Sequence, residues 1–172
     1  MKKAGPEPKS NIPGALEDKS LAPLRAMRTH LGFPGEHNLA DVNRAFKDVG
    51  FGKGAEPVGS EPVVQNAHQM NAVARAFGVS HLIYVGFAIN WCLLMSPGSM
   101  QEMSARGYMC SIIRQATTAV ENKESARLEL HKEEGLWRVA LAFGFVFDLD
   151  PFLEALAAPT PAKKGQKKAD LF

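Results

Sequence analysis

The feature that most constrains the fold of this sequence is a short apolar run at residues 82–87, LIYVGF. Its length and its lack of strict alternation are typical of a strand buried on both faces of a parallel sheet. Residues at helical spacing precede the run and end at Gly78, a residue type that often follows the last turn of a helix. The stripe consists of Ala67, Met70, Val73, Ala74 and Phe77.

Predicted strands and helices continue to alternate toward the C-terminus. We predict a strand at 108–115, a helix at 125–142 and a third strand at 143–149. Asp150 and Pro151 then fit the N-cap and the first position of a closing helix. Strands that alternate with helices predict an α/β fold, namely a three-layer α/β/α sandwich with a mostly parallel, Rossmann-like sheet.

The N-terminal part follows a different pattern. Residues 20–31 and 38–49 are weaker helix candidates, with Asn38 as a plausible N-cap for the second. Glycines and prolines then predict a long loop at 50–62. With 172 residues in all, we expect a single domain at 20–158, preceded by a flexible tail at 1–19.

Charge and cysteine content narrow the functional classes. The net charge of +2 includes several lysines in a C-terminal tail at 159–172, and such like-charge blocks are usually solvated, which makes nucleic acid an unlikely partner. Two cysteines do not form a disulfide framework. Without a signal-peptide pattern or an apolar stretch near the ~20 residues that span a bilayer, we expect a cytoplasmic protein with no membrane partner.

Cys92 is the residue with the clearest chemical potential. It follows the predicted strand at 82–87 and begins helix-like sequence, and ligand sites of open parallel sheets lie at that edge. A helix start also favours thiolate over thiol. Cys110, by contrast, lies within the strand at 108–115 and is predicted to pack in the core. The histidines lack metal-ligand spacing, so we predict no metal and no cofactor.

The segment 78–121 resembles the isochorismatase-like cysteine hydrolases, the family that includes the nicotinamidases. The resemblance rests on a strand ending in Gly86-Phe87-Ala88, on Ile89-Asn90-Trp91-Cys92, on Arg106-Gly107-Tyr108 and on Ala116-Thr117. It extends over about 63–157. Ile89 stands where the family usually has threonine.

The resemblance implies roles for two positions. Cys92 would be the nucleophile, and its N–H would join that of Ala88, after a cis Phe87–Ala88 bond, in holding an oxyanion. The neighbouring Phe87, Ile89 and Trp91 are candidates for the walls of a substrate pocket. The expected activity is hydrolysis of a small amide or a related non-peptide C–N bond through a thioester.

Two further family residues have no counterpart here. Active members pair the cysteine with an aspartate at the end of an N-terminal strand and with a lysine before the helix that precedes the cysteine strand. No apolar strand ending in aspartate precedes residue 60, and neither Lys47 nor Lys53 stands in a recognisable motif. We therefore expect a sheet that lacks its N-terminal strands, in a truncated or degenerate member of the family.

A shortened sheet leaves an open edge, which favours a homo-oligomer or a partner chain. The favoured interpretation is an enzyme with a small-molecule substrate. One alternative is a degenerate, non-catalytic relative that binds a small molecule or a protein. Another is an interaction module whose lysine-rich tails contact an acidic surface.

Overall fold

The computed structural model of the chain describes residues 18–32 and 36–158. These residues fall into two compact units that divide between Val63 and Val64. The part of the sequence with the strongest family resemblance, 63–157, coincides with the second unit. The predicted tails at 1–19 and 159–172 lie almost entirely outside the described residues.

The first unit contains two helices, α1 (Ala22–Leu31) and α2 (Leu39–Ala45). Short 3-10 turns accompany them at Lys19–Leu21, Glu36–Asn38 and Phe46–Asp48. Both helices were predicted, and α2 begins directly after Asn38, although that side chain makes no capping hydrogen bond. Residues 50–62 contain neither helix nor strand, which confirms the predicted loop.

The second unit is built on three parallel strands in the order β1 (His81–Gly86), β2 (Met109–Thr117) and β3 (Val146–Phe147). Helix α3 (Ala67–Ala76) precedes β1, and Asn66 caps it by accepting a hydrogen bond from the Gln69 N–H at 2.9 Å. Gly78 follows α3 with φ +64°, the left-handed conformation that a glycine after a helix adopts readily. The predicted α/β fold is thereby confirmed.

Helices cover both faces of this sheet. Cys110, Ile112 and Val146 face the main core, which also contains Leu136 and Val139 of α6 (Leu130–Ala142). The alternate residue Phe147 faces the other side, where its ring lies 5.6 Å from that of Phe152 in α7 (Leu149–Ala157). This arrangement is an α/β sandwich. The predicted core position of Cys110 is confirmed, because the residue is fully buried.

The connection from β1 to β2 consists of two short helices, α4 (Cys92–Met95) and α5 (Met100–Ser104). Pro97 and Gly98 separate them, as their sequence predicts. The Tyr84 hydroxyl donates a hydrogen bond to the Gly98 carbonyl at 2.9 Å and so ties the break to β1. Burial raises the pKa of Tyr84 above its ordinary value. Met100 and Met103 are fully buried, as predicted.

Three predicted boundaries were wrong. Strand β3 is only two residues long, instead of 143–149, and α6 begins at Leu130 after a 3-10 turn at Ala126–Leu128. Asp148, not Asp150, occupies the N-cap of α7. The helix starts early because the Leu149 N–H donates to the Gln115 side chain of β2 at 2.9 Å. Pro151 is then the third helical residue, where a missing N–H costs no intrahelical bond.

Candidate active site around Cys92

Cys92 lies at the carboxyl end of β1, as the sequence predicts. The strand ends at Gly86, whose φ of +105° turns the chain, and Cys92 is the first residue of α4. Its thiol is free and exposed to solvent. Helix α4 has only four residues, so its dipole adds little to the electrostatics of the thiol. Exposure therefore distinguishes this thiol from the buried Cys110.

Ala88 lies beside Cys92 in the turn. The Phe87–Ala88 peptide bond is cis, in agreement with the resemblance, and Ala88 is fully buried. Its carbonyl accepts hydrogen bonds from Trp91 at 3.1 Å and from Leu93 at 3.0 Å. Among the described residues, the N–H groups of Ala88 and Cys92 have no hydrogen-bond partner.

An unpaired N–H is unusual in a fully buried residue such as Ala88, because it costs the free energy of removing that group from water. An unpaired buried donor in a native structure therefore needs an explanation, and a role in binding a ligand is one such explanation. The two N–H groups predicted as oxyanion donors are thus both without a hydrogen-bond partner among the described residues, that of Ala88 in a fully buried position.

Asn90 anchors the Cys92 turn to the segment that follows β2. Its side-chain amide donates to the Val120 carbonyl at 2.8 Å, and its carbonyl oxygen accepts from the Val120 N–H at 2.9 Å. The Ile89 N–H adds a bond to the Thr118 carbonyl at 2.9 Å, and the Thr118 N–H donates to Gly86 at 3.1 Å. These four hydrogen bonds hold the turn that contains Cys92 against the segment Thr118–Val120.

The predicted pocket walls have different environments. Phe87 and Trp91 are 63% and 57% exposed, so their rings can contact a bound molecule. Ile89 instead belongs to the core, with no exposed surface, and it lies against Gly135 of α6. A Cβ atom at Gly135 would lie 2.9 Å from the Ile89 side chain, so the glycine allows α6 to approach the turn closely. The wall role therefore fits Phe87 and Trp91 better than Ile89.

An open groove of about 270 Å³ lies near α4 and α6. Its lining residues are Leu94, Met95, Gln101, Arg138, Leu141, Ala142 and Phe143. Cys92 is not one of them, although it lies in the same short helix as Leu94 and Met95. Cys92 is itself exposed, as are Phe87 and Trp91 in the same turn.

Among the described residues, no strand before β1 carries an aspartate like that of the family which the sequence resembles. Residues 18–32 and 36–63 contain helices and loops but no strand. Asp41, in α2, pairs with Arg44 at 2.7 Å on an exposed surface. Within the described ranges, no three His, Cys, Asp or Glu side chains are grouped as metal ligands, and no helix there is long and apolar enough to cross a bilayer.

Sequence reasoning did not identify Glu121, which lies one residue after the Asn90–Val120 contact. Its carboxylate accepts from the N–H groups of Lys132 at 2.9 Å and of His131 at 3.2 Å, in the first turn of α6. Desolvation acts to raise the pKa of Glu121, but hydrogen bonds from Ser125 and from these two N–H groups outweigh it and lower the pKa. The Glu121 side chain therefore caps the N-terminus of α6, although Glu121 lies outside that helix in the sequence.

Because the pKa of Glu121 is lower in the folded chain, its stabilising effect should be complete above the ordinary value of 4.5 and should fade as the pH falls through the lowered value. We expect Glu121→Gln to lower the midpoint of urea unfolding at pH 7. At the lowest pH at which the chain is still folded, the same substitution should lower that midpoint less. Glu124→Gln, which changes a neighbouring exposed carboxylate, is the matched control. An equal loss at every pH would contradict a role for the charge.

Comparison with known proteins gives one informative similarity. The chain is similar to the ureidoacrylate amidohydrolase RutB of Serratia proteamaculans (strain 568), with 26% identity over 91 residues. The match covers 53% of this chain and 33% of that protein, so the chain spans about a third of the length of its curated relative. No protein-family profile matches the chain. The similarity supports a distant relationship with the isochorismatase-like hydrolases.

Proposed function

We propose that this chain is a cysteine hydrolase of the isochorismatase-like type that cleaves a small amide or a related non-peptide C–N bond. One observation carries the proposal: the exposed thiol of Cys92 lies in a turn where the N–H groups of Ala88 and Cys92 have no partner among the described residues. Two backbone donors next to a nucleophile are the elements that acyl transfer requires.

The proposed reaction has two steps. The Cys92 thiolate attacks the carbonyl carbon, a C–S bond forms, and the negative charge moves to the carbonyl oxygen, which the Ala88 and Cys92 N–H groups stabilise. The charge then returns from the oxygen to the carbon, the C–N bond breaks, and the departing nitrogen takes a proton from water. Water next attacks the thioester, the C–S bond breaks, and the acid product and the free thiol are released.

Two observations support the proposed substrate class, namely the exposed surroundings of Cys92 and the name of the curated relative. Phe87 and Trp91 present flat apolar surfaces, which suit a small planar acyl group. The relative's name specifies ureidoacrylate, so a ureido compound or a simple carboxamide is the first choice of substrate.

A second candidate function is a non-catalytic relative that binds a small molecule through the same donors. The specific observation in its favour is that residues 18–32 and 36–63 contain no strand to carry the family's aspartate. A cysteine nucleophile is activated by an adjacent general base, and without that aspartate attack on an amide would be slow.

Trapping of the thioester tests the hydrolase. The full chain is mixed with ureidoacrylate or with one of several small carboxamides. The reaction is quenched in acid, and the mass of the intact protein is measured by mass spectrometry. We expect an added acyl mass on Cys92 and release of amine, and neither in Cys92→Ala. The Cys110→Ala variant, which alters the buried thiol, should still form the adduct.

The other outcomes discriminate between the two candidates. Equal amine release by the native chain and Cys92→Ala would rule out the hydrolase. Heat of binding in calorimetry without adduct or release would favour the binding protein. With neither binding nor turnover across the panel, both proposals fail for these substrate classes.

A further inference from the structure

The pairing between β1 and β2 continues beyond the last residue of β1. Within the sheet, the pairing ends at Gly86, which lies opposite Thr117. The Gly86 carbonyl then accepts a hydrogen bond from the Thr118 N–H at 3.1 Å, and the Thr118 carbonyl accepts one from the Ile89 N–H at 2.9 Å. The segment that leads to Cys92 therefore stays attached to the segment that follows β2.

Asn90 makes the next contact in this series with its side chain instead of its main chain. Its amide nitrogen donates to the Val120 carbonyl at 2.8 Å, and its amide oxygen accepts from the Val120 N–H at 2.9 Å. A residue in an antiparallel strand pair exchanges the same two hydrogen bonds through its peptide groups. The asparagine amide thus replaces main-chain pairing where the chain turns toward α4.

Asn90 lies midway between the two N–H groups that are the predicted oxyanion donors, two residues after Ala88 and two residues before Cys92. Of the described hydrogen bonds that join this turn to the segment after β2, those of Asn90 are the closest to Cys92 in the sequence. Ala88 is also held from within the turn, since its carbonyl accepts from the N–H groups of Trp91 and Leu93. Loss of the Asn90 contact should therefore free Cys92 more than Ala88.

We propose that Asn90 is a positioning residue for the hydrolase, a role that rests on the proposed function of Cys92. It keeps the thiol and the N–H of Cys92 in a fixed place relative to the Ala88 N–H, so that both donors bind the same developing oxyanion. Asn90 acts through the turn and not on the substrate, because the oxygen and the nitrogen of its amide both bind Val120. Losing one oxyanion donor lowers kcat by about 100- to 1,000-fold, and a misplaced group costs about 100-fold.

Turnover by Asn90→Leu tests this role, because leucine has nearly the same size and neither hydrogen-bonding group. We expect kcat for the best substrate of the panel to fall by about 100-fold, while KM changes only a few-fold. Alkylation of Cys92 by iodoacetamide forms no oxyanion, so its rate should also change only a few-fold. Asn90→Ser, whose side chain is too short to bind both groups of Val120, should act in the same direction if the leucine variant does not fold.

Asn122→Leu is the matched control. The Asn122 side chain accepts hydrogen bonds from the N–H groups of Glu124 and Ser125, both at 2.9 Å, and its described side-chain contacts lie outside the turn that contains Cys92. This substitution should lower stability and leave kcat within a few-fold of the native value. An equal loss of kcat in Asn90→Leu and Asn122→Leu would overturn the proposal, because general destabilisation would then explain both.

Backbone dynamics test the positioning independently of activity. In a chain whose alanine and cysteine residues carry an NMR-active nitrogen isotope, the order parameters of the Ala88 and Cys92 N–H groups should be about 0.85, the value of a rigid backbone. Asn90→Leu should lower that of Cys92 to about 0.6 or less and leave that of Cys110, in the central strand, unchanged. An unchanged order parameter at Cys92 would overturn the proposal whatever the kinetics show. A lowered one in a chain without turnover would support the positioning role and count against the proposed function alone.

Discussion

Cys92→Ala should reduce amide hydrolysis by about 1,000-fold or more, the scale of loss seen when a covalent nucleophile is removed. The expectation follows from the proposed mechanism, in which the sulfur of Cys92 forms the bond that the substrate amine loses. The thiol is exposed, so its replacement should leave the core intact. The measurement is the rate of amine release from the best substrate of the panel, at saturation and at low concentration.

Cys110→Ala is the control for this loss. Cys110 is fully buried, and burial raises its pKa, so it should not act as a nucleophile. Its substitution should change the rate by a few-fold at most. A similar loss of rate in both variants would indicate damage to the fold, and no loss in either would contradict nucleophilic catalysis by Cys92.

Gly144→Ala should destabilise the second unit by about 3 kcal/mol, the upper end of what overpacking usually costs. A Cβ atom at Gly144 would lie 2.6 Å from the Cys110 carbonyl oxygen and 2.6 Å from Ser111 Oγ. Neither atom can move freely. Ser111 Oγ accepts a hydrogen bond from the Phe145 N–H at 2.8 Å, and Cys110 belongs to the central strand. Urea unfolding measures the loss.

Gly135→Ala is the informative comparison. Its three nearest atoms all belong to the Ile89 side chain, at 2.9–3.1 Å, and a side chain can rotate away. Alanine within a helix also gains up to about 1 kcal/mol over glycine. We expect a clearly smaller loss of stability than in Gly144→Ala. Equal losses would show that the rigidity of the neighbouring atoms does not determine the cost.

Much of the second unit could be predicted from its apolar pattern. The run at 82–87 and the stripe ending at Gly78 gave β1 and α3 to within one or two residues. The pattern failed where a distant contact decides a boundary. Helix α7 starts at Leu149 because Gln115, on another strand, accepts its N–H, and no local signal reveals that bond.

The candidate site was only partly predictable. The position of Cys92 and the cis bond before Ala88 followed from the motif and its resemblance. The anchoring role of Asn90 did not, because its partner Val120 is 30 residues away and contributes main-chain atoms alone. Glu121 was missed for the same reason, since it binds backbone N–H groups of α6.

The Asn90–Val120 contact has a consequence for how this protein can diverge. Position 120 supplies one main-chain N–H and one main-chain carbonyl, which almost any amino acid offers. Substitutions of its side chain should therefore leave this contact intact. Proline is the exception, because it has no amide hydrogen. Position 90 tolerates fewer substitutions, because the contact needs a side chain of the length of asparagine that carries both a donor and an acceptor. Two residues that share one interaction thus face opposite degrees of evolutionary tolerance.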